Sequence, residues 1–208
     1  MNQRFVNSCN LTSAIFSRLY ERKEPMTVVY FVRHAHSNYS PDEYNRPLST
    51  NGLKKAQRIT DRLKDQQITA IYSSPYKRAI DTVQGIADLY GKQIIVLEDL
   101  KERVLASGTL ADFEDAIYRV WRDPSLAYQG GESNIDAQKR VLPIFYELLK
   151  QHVNSTLVIG THGNIMTLVL NAFDTSIGLT FWRELKMPDI FKAEFQQLKL
   201  VKLERINF

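Results

Sequence analysis

A chain of 208 residues, 44% hydrophobic and 24% charged with a formal net charge of +4, has the size and balance of one globular domain. That composition excludes a disordered chain, no apolar run approaches the roughly 18 residues that span a bilayer, and no clustered basic stripe points to nucleic acid. The single cysteine, Cys9, excludes an internal disulfide and a cysteine-built metal cage, and a reducing, cytoplasmic setting is expected.

Residues 1–25 lack the uninterrupted apolar stretch of a secretory signal and read as an extension, leaving one domain over 26–208. The run Thr27-Val28-Val29-Tyr30-Phe31-Val32 is short, β-branched and aromatic, which predicts a buried strand over 27–33. Residues 41–47 form a polar loop, and Ser49 and Thr50 cap a helix carrying Leu53, Ala56, Ile59 and Leu63 at helical spacing. A second strand is expected over 69–73. Ser74-Pro75 then opens a helix through Ala79, Val83, Ile86 and Tyr90, which Gly91 stops. Residues 93–97 are a third strand.

Residues 98–131 break this alternation and read as an insertion over the strand ends, where substrate selection is often placed. Its amphipathic segment carries Leu110, Phe113, Ile117, Val120 and Trp121. A long helix is expected over 133–152, with Pro143 kinking it or forcing a restart. Residues 155–160 are a fourth buried strand, and His162-Gly163-Asn164 opens a helix bearing Ile165, Leu168 and Val169. Two alternating segments over 190–206 suggest a hairpin or edge strands. The implied fold is α/β: three layers, α/β/α, with a mainly parallel central sheet and a helical insertion over the strand ends.

Chemistry-bearing residues recur where these strands end, which is where ligands bind in α/β sheets. Arg33, His34 and His36 follow the first strand, Arg78 the second, Glu102 the third and His162 the fourth. Arg78 falls in a first helical turn, where a cation opposes the helix dipole, so helix stability alone does not place it there. A permanent cation beside a titratable nucleophile suits an anionic, phosphorylated substrate. If the topology pairs the first and fourth strands, their imidazoles meet at one edge of the sheet.

Five segments carry a resemblance to a known family. They are Arg33-His34-Ala35-His36-Ser37, the stretch from Ser73 to Thr82, Leu100-Lys101-Glu102-Arg103, Gly130-Gly131-Glu132-Ser133, and Thr161-His162-Gly163. Together and in this order they resemble the histidine phosphatase superfamily, also called phosphoglycerate mutase-like, over roughly residues 26–205. The resemblance implies a metal-independent phosphomonoesterase acting on a small phosphorylated metabolite, with no cofactor. His34 is then the nucleophile that becomes a phosphohistidine, and Arg33, Arg78 and His162 hold the phosphoryl oxygens. Glu102 is the acid that protonates the leaving alkoxide and then the base that activates water. Ser37, Ser40 and Arg103 are carried as further substrate-binding residues. Ala35 stands where the family has glycine, Ser40 where it often has asparagine, and His36 where an acidic or amide side chain is common.

Other readings make different demands. A metal hydrolase could use His34-x-His36 as ligands but needs further ones, and Arg33 would repel the cation. A phosphoglycerate-type mutase shares the catalytic residues but generally has a longer chain. A non-catalytic phospholigand-binding module would bind without turnover. In the insertion, Arg103, Trp121, Arg122 and Tyr128 could line a substrate pocket. No nucleic-acid or membrane partner is expected, and the sequence does not set an oligomeric state.

Overall fold

The computed structural model describes residues 25–208, so all but the last residue of the expected 1–25 extension lies outside the described residues. Six strands form one sheet in the order β3-β2-β4-β1-β5-β6. They are β1 (Met26–Arg33), β2 (Ala70–Ser73), β3 (Ile94–Val96), β4 (Thr156–Thr161), β5 (Asp189–Gln196) and β6 (Lys199–Arg205). The pairs β3–β2, β2–β4 and β4–β1 are parallel, and the β5–β6 hairpin adds to β1 antiparallel. The last strand of the parallel set in sequence therefore inserts between the first two. That crossover brings the two histidine-bearing strands side by side.

The central strands form because they bury both faces. Val29 and Phe31 of β1 and Leu157 and Ile159 of β4 pack with Val141, Phe145 and Leu149 of helix α4 (Asn134–Gln151) and with Ile165 and Leu168 of α5 (Gly163–Asn171). Tyr30, Val32 and Val158 face the other way, onto Ile59 and Leu63 of α1 (Thr50–Leu63) and Val83 and Ile86 of α2 (Lys77–Tyr90). Two separate apolar clusters, one on each side of the sheet, are what three layers require. At the far edge β3 is short, and its Ile95 and Val96 are exposed.

Several elements depart from the sequence reading. Leu53 is exposed in α1, and the inward face is instead Gly52, Ala56, Ile59, Thr60 and Leu63. The reason is steric: a β-carbon at Gly52 would lie 2.1 Å from the His36 carbonyl oxygen, so the helix abuts the loop after β1 through bare backbone. Ser49 caps this helix, its hydroxyl accepting from the Gly52 N–H. Helix α2 begins at Lys77 rather than at Pro75, because the Ser74 hydroxyl is turned to the Tyr76 N–H and to His162. It ends as expected, on Gly91 at φ 59°. Helix α4 runs unbroken through Pro143.

The segment after β3 makes a 3-10 turn (Glu98–Leu100), passes through Glu102 and Arg103, and then forms α3 (Phe113–Arg122). A short α6 (Leu179–Arg183) precedes the hairpin. Among the described residues no helix is long and apolar enough to cross a membrane.

Candidate active site

The β1–β4 register sets Arg33 opposite Thr161, so the residues that follow, His34 and His162, leave the sheet abreast. The His34 N–H bonds the Thr161 carbonyl at 2.9 Å, and the next amide, Ala35, bonds the Thr82 hydroxyl of α2 at 3.0 Å. These two bonds clamp the turn between a strand and a helix. Ala35 is fully buried and lies outside the left-handed region, so alanine in the glycine position carries no backbone strain. The two imidazole centroids are 5.1 Å apart at an interplanar angle of 62°.

His34 is 8% exposed, and its Nδ1 lies 2.8 Å from the Ala35 carbonyl, which can only accept. Nδ1 therefore carries the proton, and Nε2 is left with its lone pair. Burial, followed by the guanidiniums of Arg78, Arg33 and Arg46, lowers its pKa to about 3 against the stabilising Ala35 bond. The imidazole is thus neutral at physiological pH. His162 is completely buried and is also held well below the usual histidine range, by burial and then by His34, Arg78 and Arg33. Its Nε2 is 2.7 Å from the Ser74 hydroxyl, and its Nδ1 has no partner among the described residues. His162 Nε2 is the one acceptor that the described residues offer the Ser74 hydrogen, and with that hydrogen on Nε2 the ring carries its own proton as an unused Nδ1–H donor.

The two arginines are anchored on different segments. Arg33 donates from Nη1 to the carbonyls of Leu185 and Lys186, each at 3.1 Å, and its buried Nε is unpartnered among the described residues. Gly163 gives it room: a β-carbon there would stand 3.2 Å from its Cζ and Nε. Arg78 is 4% exposed, with Nε 3.4 Å from His34 Nε2 and its cation 4.6 Å from the Tyr76 ring centroid. Its Nη1 donates to the Glu43 carbonyl at 2.9 Å and its Nη2 pairs with the Glu43 carboxylate at 3.0 Å. Burial, then the neighbouring Arg46 cation, lowers the Arg78 pKa to about 10, leaving it charged.

Glu102 docks on the first turn of α5. Its Oε1 accepts from the Ile165 and Arg103 amides at 2.8 and 2.9 Å, and its Oε2 from the Asn164 amide at 3.0 Å. A carboxylate at a helix N-terminus is favourable. Its charge raises the pKa of Arg33, Arg78 and Tyr76, the residues that flank the two histidines. The nearby acids Glu98 and Asp99 go elsewhere: Glu98 pairs with Tyr44 and Lys101, and the Asp99 carbonyl takes a bond from Arg140. Arg103 is 3% exposed and donates from Nη1 to the Glu132 carbonyl at 3.3 Å, with Nε and Nη2 unpartnered among the described residues.

The remaining expected residues play their parts in the 37–49 loop or elsewhere. Ser37 bridges to Leu48 at the base of that loop. The Ser40 hydroxyl accepts from the Asp42 amide at 3.2 Å, and its carbonyl from Arg46. His36 is exposed, with Nδ1 2.9 Å from the Ser49 hydroxyl, and so diverges from buried His34. Trp121 and Arg122 line a different cleft, of about 480 Å³, with Asn134, Gln138, Leu168 and Asn171. Leu168 and Asn171 lie on α5 at about 9 and 14 Å along its axis from His162. Among the described residues no group of three or more histidine, cysteine or acidic side chains is arranged to hold a metal ion.

Sequence reasoning missed Glu43 and Arg46, whose roles depend on neighbours distant in sequence that no local spacing advertises. Ser74 and Thr82 stand within the 73–82 segment that carries the resemblance, but their contacts with His162 and the Ala35 amide come only from the fold.

Comparison with known proteins is consistent with this geometry. Residues 29–199 match the family described as the histidine phosphatase superfamily (branch 1). Phosphoserine phosphatase 1 of Hydrogenobacter thermophilus is 29% identical over 150 residues, which is 66% of this chain and 71% of that protein. A metal-independent phosphoserine phosphatase of Arabidopsis thaliana is 28% identical over 160 residues, 69% of this chain and 67% of that one. Among solved structures, a mycobacterial glucosyl-3-phosphoglycerate phosphatase superposes with a TM-score of 0.70 at 20% identity, covering 86% of this chain and 97% of its own.

Proposed function

The chain belongs to the histidine phosphatase superfamily and is a metal-independent phosphatase of small phosphorylated metabolites, and from that premise we propose how its residues divide the work. His34 Nε2 attacks phosphorus in line with the ester oxygen. The N–P bond forms, the P–O bond to the leaving alkoxide breaks, and Glu102 supplies the alkoxide with a proton. Water then enters. Glu102 takes its proton, the hydroxide attacks phosphorus, and the P–N bond breaks to release phosphate and restore the Nε2 lone pair.

The observation that carries this reading is the state of His34. Its Nδ1 is tied to the Ala35 carbonyl, its Nε2 carries the lone pair and faces Arg78 Nε at 3.4 Å, and burial among cations keeps it neutral. Phosphoryl transfer asks mainly for positioning and charge stabilisation. Arg33, Arg78 and the unused Nδ1–H of His162 are the donors for the three equatorial oxygens. The three amides on Glu102 fix its orientation, and Oε2, with a single donor, keeps a lone pair for the proton. Arg103 is the cation available to a second acidic group on the substrate, and Ser37 and Ser40 belong to the 37–49 loop that also carries Glu43 and Arg46. The phosphoserine and glucosyl-3-phosphoglycerate phosphatases among the relatives make acidic phosphomonoesters the substrates to try first.

The test is hydrolysis of p-nitrophenyl phosphate, phosphoserine and phosphoglycerates in the presence of chelator, for wild type and His34→Ala. Chelator-resistant phosphate release that disappears in the variant, with an acid-labile phosphoenzyme trapped from wild type, is the expected result. Equal release by the variant sinks His34 as nucleophile. Transfer between phosphoglycerate positions without net release would instead show a mutase, and binding without turnover a regulatory module.

A further inference from the structure

We propose that Arg46 is a further cation of the phosphate site and that Glu43 is its built-in competitor, a carboxylate that occupies the phosphoryl position between Arg46 and Arg78 until a dianionic substrate displaces it. The inference rests on the phosphatase reading and adds to it how the site is kept when empty. Neither residue belongs to the sequence motifs that carry the family resemblance.

The geometry is that of one anion shared by two cations. One Glu43 carboxylate oxygen pairs with Nη2 of Arg78 at 3.0 Å, and the other pairs with Nη2 of Arg46. Arg78 in turn has its Nε 3.4 Å from the nucleophilic nitrogen of His34. A single guanidinium thus connects Glu43 to the reacting atom. Arg46 has 19% side-chain exposure, and its buried Nε finds no partner among the described residues. Two guanidiniums and one carboxylate leave a net positive charge beside a second imidazole and Arg33. Arg46 is among the cations that lower the pKa of Arg78 and of His34.

The loop that carries Glu43 is firmly seated, so the carboxylate is delivered rather than wandering. Asn38 N–H bonds the Pro47 carbonyl at its base, and Asp42 collects the amides of Tyr44 and Asn45. The Tyr44 carbonyl accepts the Lys77 amide at the start of α2 at 2.7 Å, and its hydroxyl bonds Glu98 at 2.6 Å. Only the Glu43 side chain is loosely committed, at 46% exposure. A half-exposed ion pair is weak and readily exchanged. A phosphoryl group carries two charges and three oxygens to the same two forks, and so outcompetes a singly charged carboxylate for them. A neutral or singly charged ester does not, which makes the exchange a filter for phosphomonoesters over diesters.

The experiment uses the full chain and inorganic phosphate as probe, read by calorimetry and by competitive inhibition of p-nitrophenyl phosphate hydrolysis, with thermal melts as a folding control. Arg46→Gln is expected to weaken phosphate binding about 10-fold or more, the worth of one charge-assisted fork. Glu43→Gln is expected to tighten it about 3- to 10-fold and to lower KM, and Glu43→Asp, too short to span both cations, to do the same. In the Arg46→Gln background, removing Glu43 should gain less than it does in wild type, because the competitor has lost one of its anchors. Phosphate affinity of Arg46→Gln within twofold of wild type, or no tightening in either Glu43 variant, overturns the inference while leaving the phosphatase reading intact. A wild-type protein that neither binds phosphate nor releases it from any phosphomonoester overturns the phosphatase reading itself.

Discussion

Gly163→Ala should separate activity from stability. The added methyl would sit 3.2 Å from Cζ and Nε of Arg33 and 3.3 Å from its Nη2, against about 3.5–4.0 Å for an unstrained contact. The shortfall is therefore about 0.3–0.8 Å. Arg33 is tethered by the Leu185 and Lys186 carbonyls, so it cannot swing away freely and instead shifts by roughly half an ångström at the phosphoryl position. A misplacement of 1 Å costs about 10²-fold in rate, so half of that predicts a fall in kcat of about 10-fold. Stability moves the other way. Gly163 opens α5 with φ outside the left-handed region, so alanine fits the backbone and favours the helix by up to about 1 kcal/mol. The assay pairs steady-state hydrolysis of p-nitrophenyl phosphate with a thermal melt. Unchanged kcat at an unchanged or higher melting temperature would refute the claim that Gly163 sets the position of Arg33. A parallel loss of activity and melting temperature would show a folding defect instead.

Gly52→Ala should destabilise by about 1–3 kcal/mol, because its β-carbon meets the His36 carbonyl at 2.1 Å and backbone must move; urea unfolding measures it, and a wild-type midpoint would contradict the contact. Ser74→Ala removes the hydrogen from His162 Nε2, so the buried ring can take either tautomer. A loss of about 1–3 kcal/mol in stability and about 10-fold in kcat is expected, and the ¹⁵N shifts of His162 should lose their single-tautomer pattern, which a purely structural serine would leave alone. His34 falls to about 3 in the folded protein from 6.5 unfolded, and His162 shifts the same way. Below pH 6.5 the unfolded chain binds protons that the folded one refuses. The stability from His34 is thus complete above pH 6.5 and drains as the pH falls toward 3, by up to about 1.4 kcal/mol per pH unit, and that from His162 drains in the same direction. Denaturant unfolding at pH 7.5 and 5 should show a smaller pH effect for His34→Asn than for wild type, and equal effects would remove His34 as a source.

Much of this molecule is local and was legible in linear order. The strands stand where β-branched runs alternate with helical spacing, because a residue's preference for a pleated or helical backbone is set by its own side chain and near neighbours. The parallel sheet followed from strands separated by helices, and the active edge from charged residues recurring at strand ends. Errors arose where a third party decided. Leu53 has helical spacing with Ala56 but turns outward, because the loop after β1 claims the inner face at Gly52. Trp121 and Arg122 belong to the insertion but line a cleft against α4 and α5, since packing of α3 is chosen by apolar fit and not by chain position.

The sequence by itself determined which residues the site could contain: Arg33, His34, Arg78, Glu102 and His162, each tied to the end of a recognisable strand. Only the tertiary structure decided how they meet. Strand order is a contest between pairings of distant segments, and inserting β4 between β1 and β2 is what places two imidazoles 5.1 Å apart. Protonation is likewise decided by surroundings, because desolvation and neighbouring cations, not the identity of histidine, hold His34 neutral. The same holds for Glu43 and Arg46, ordinary loop charges in the sequence that the fold sets against Arg78.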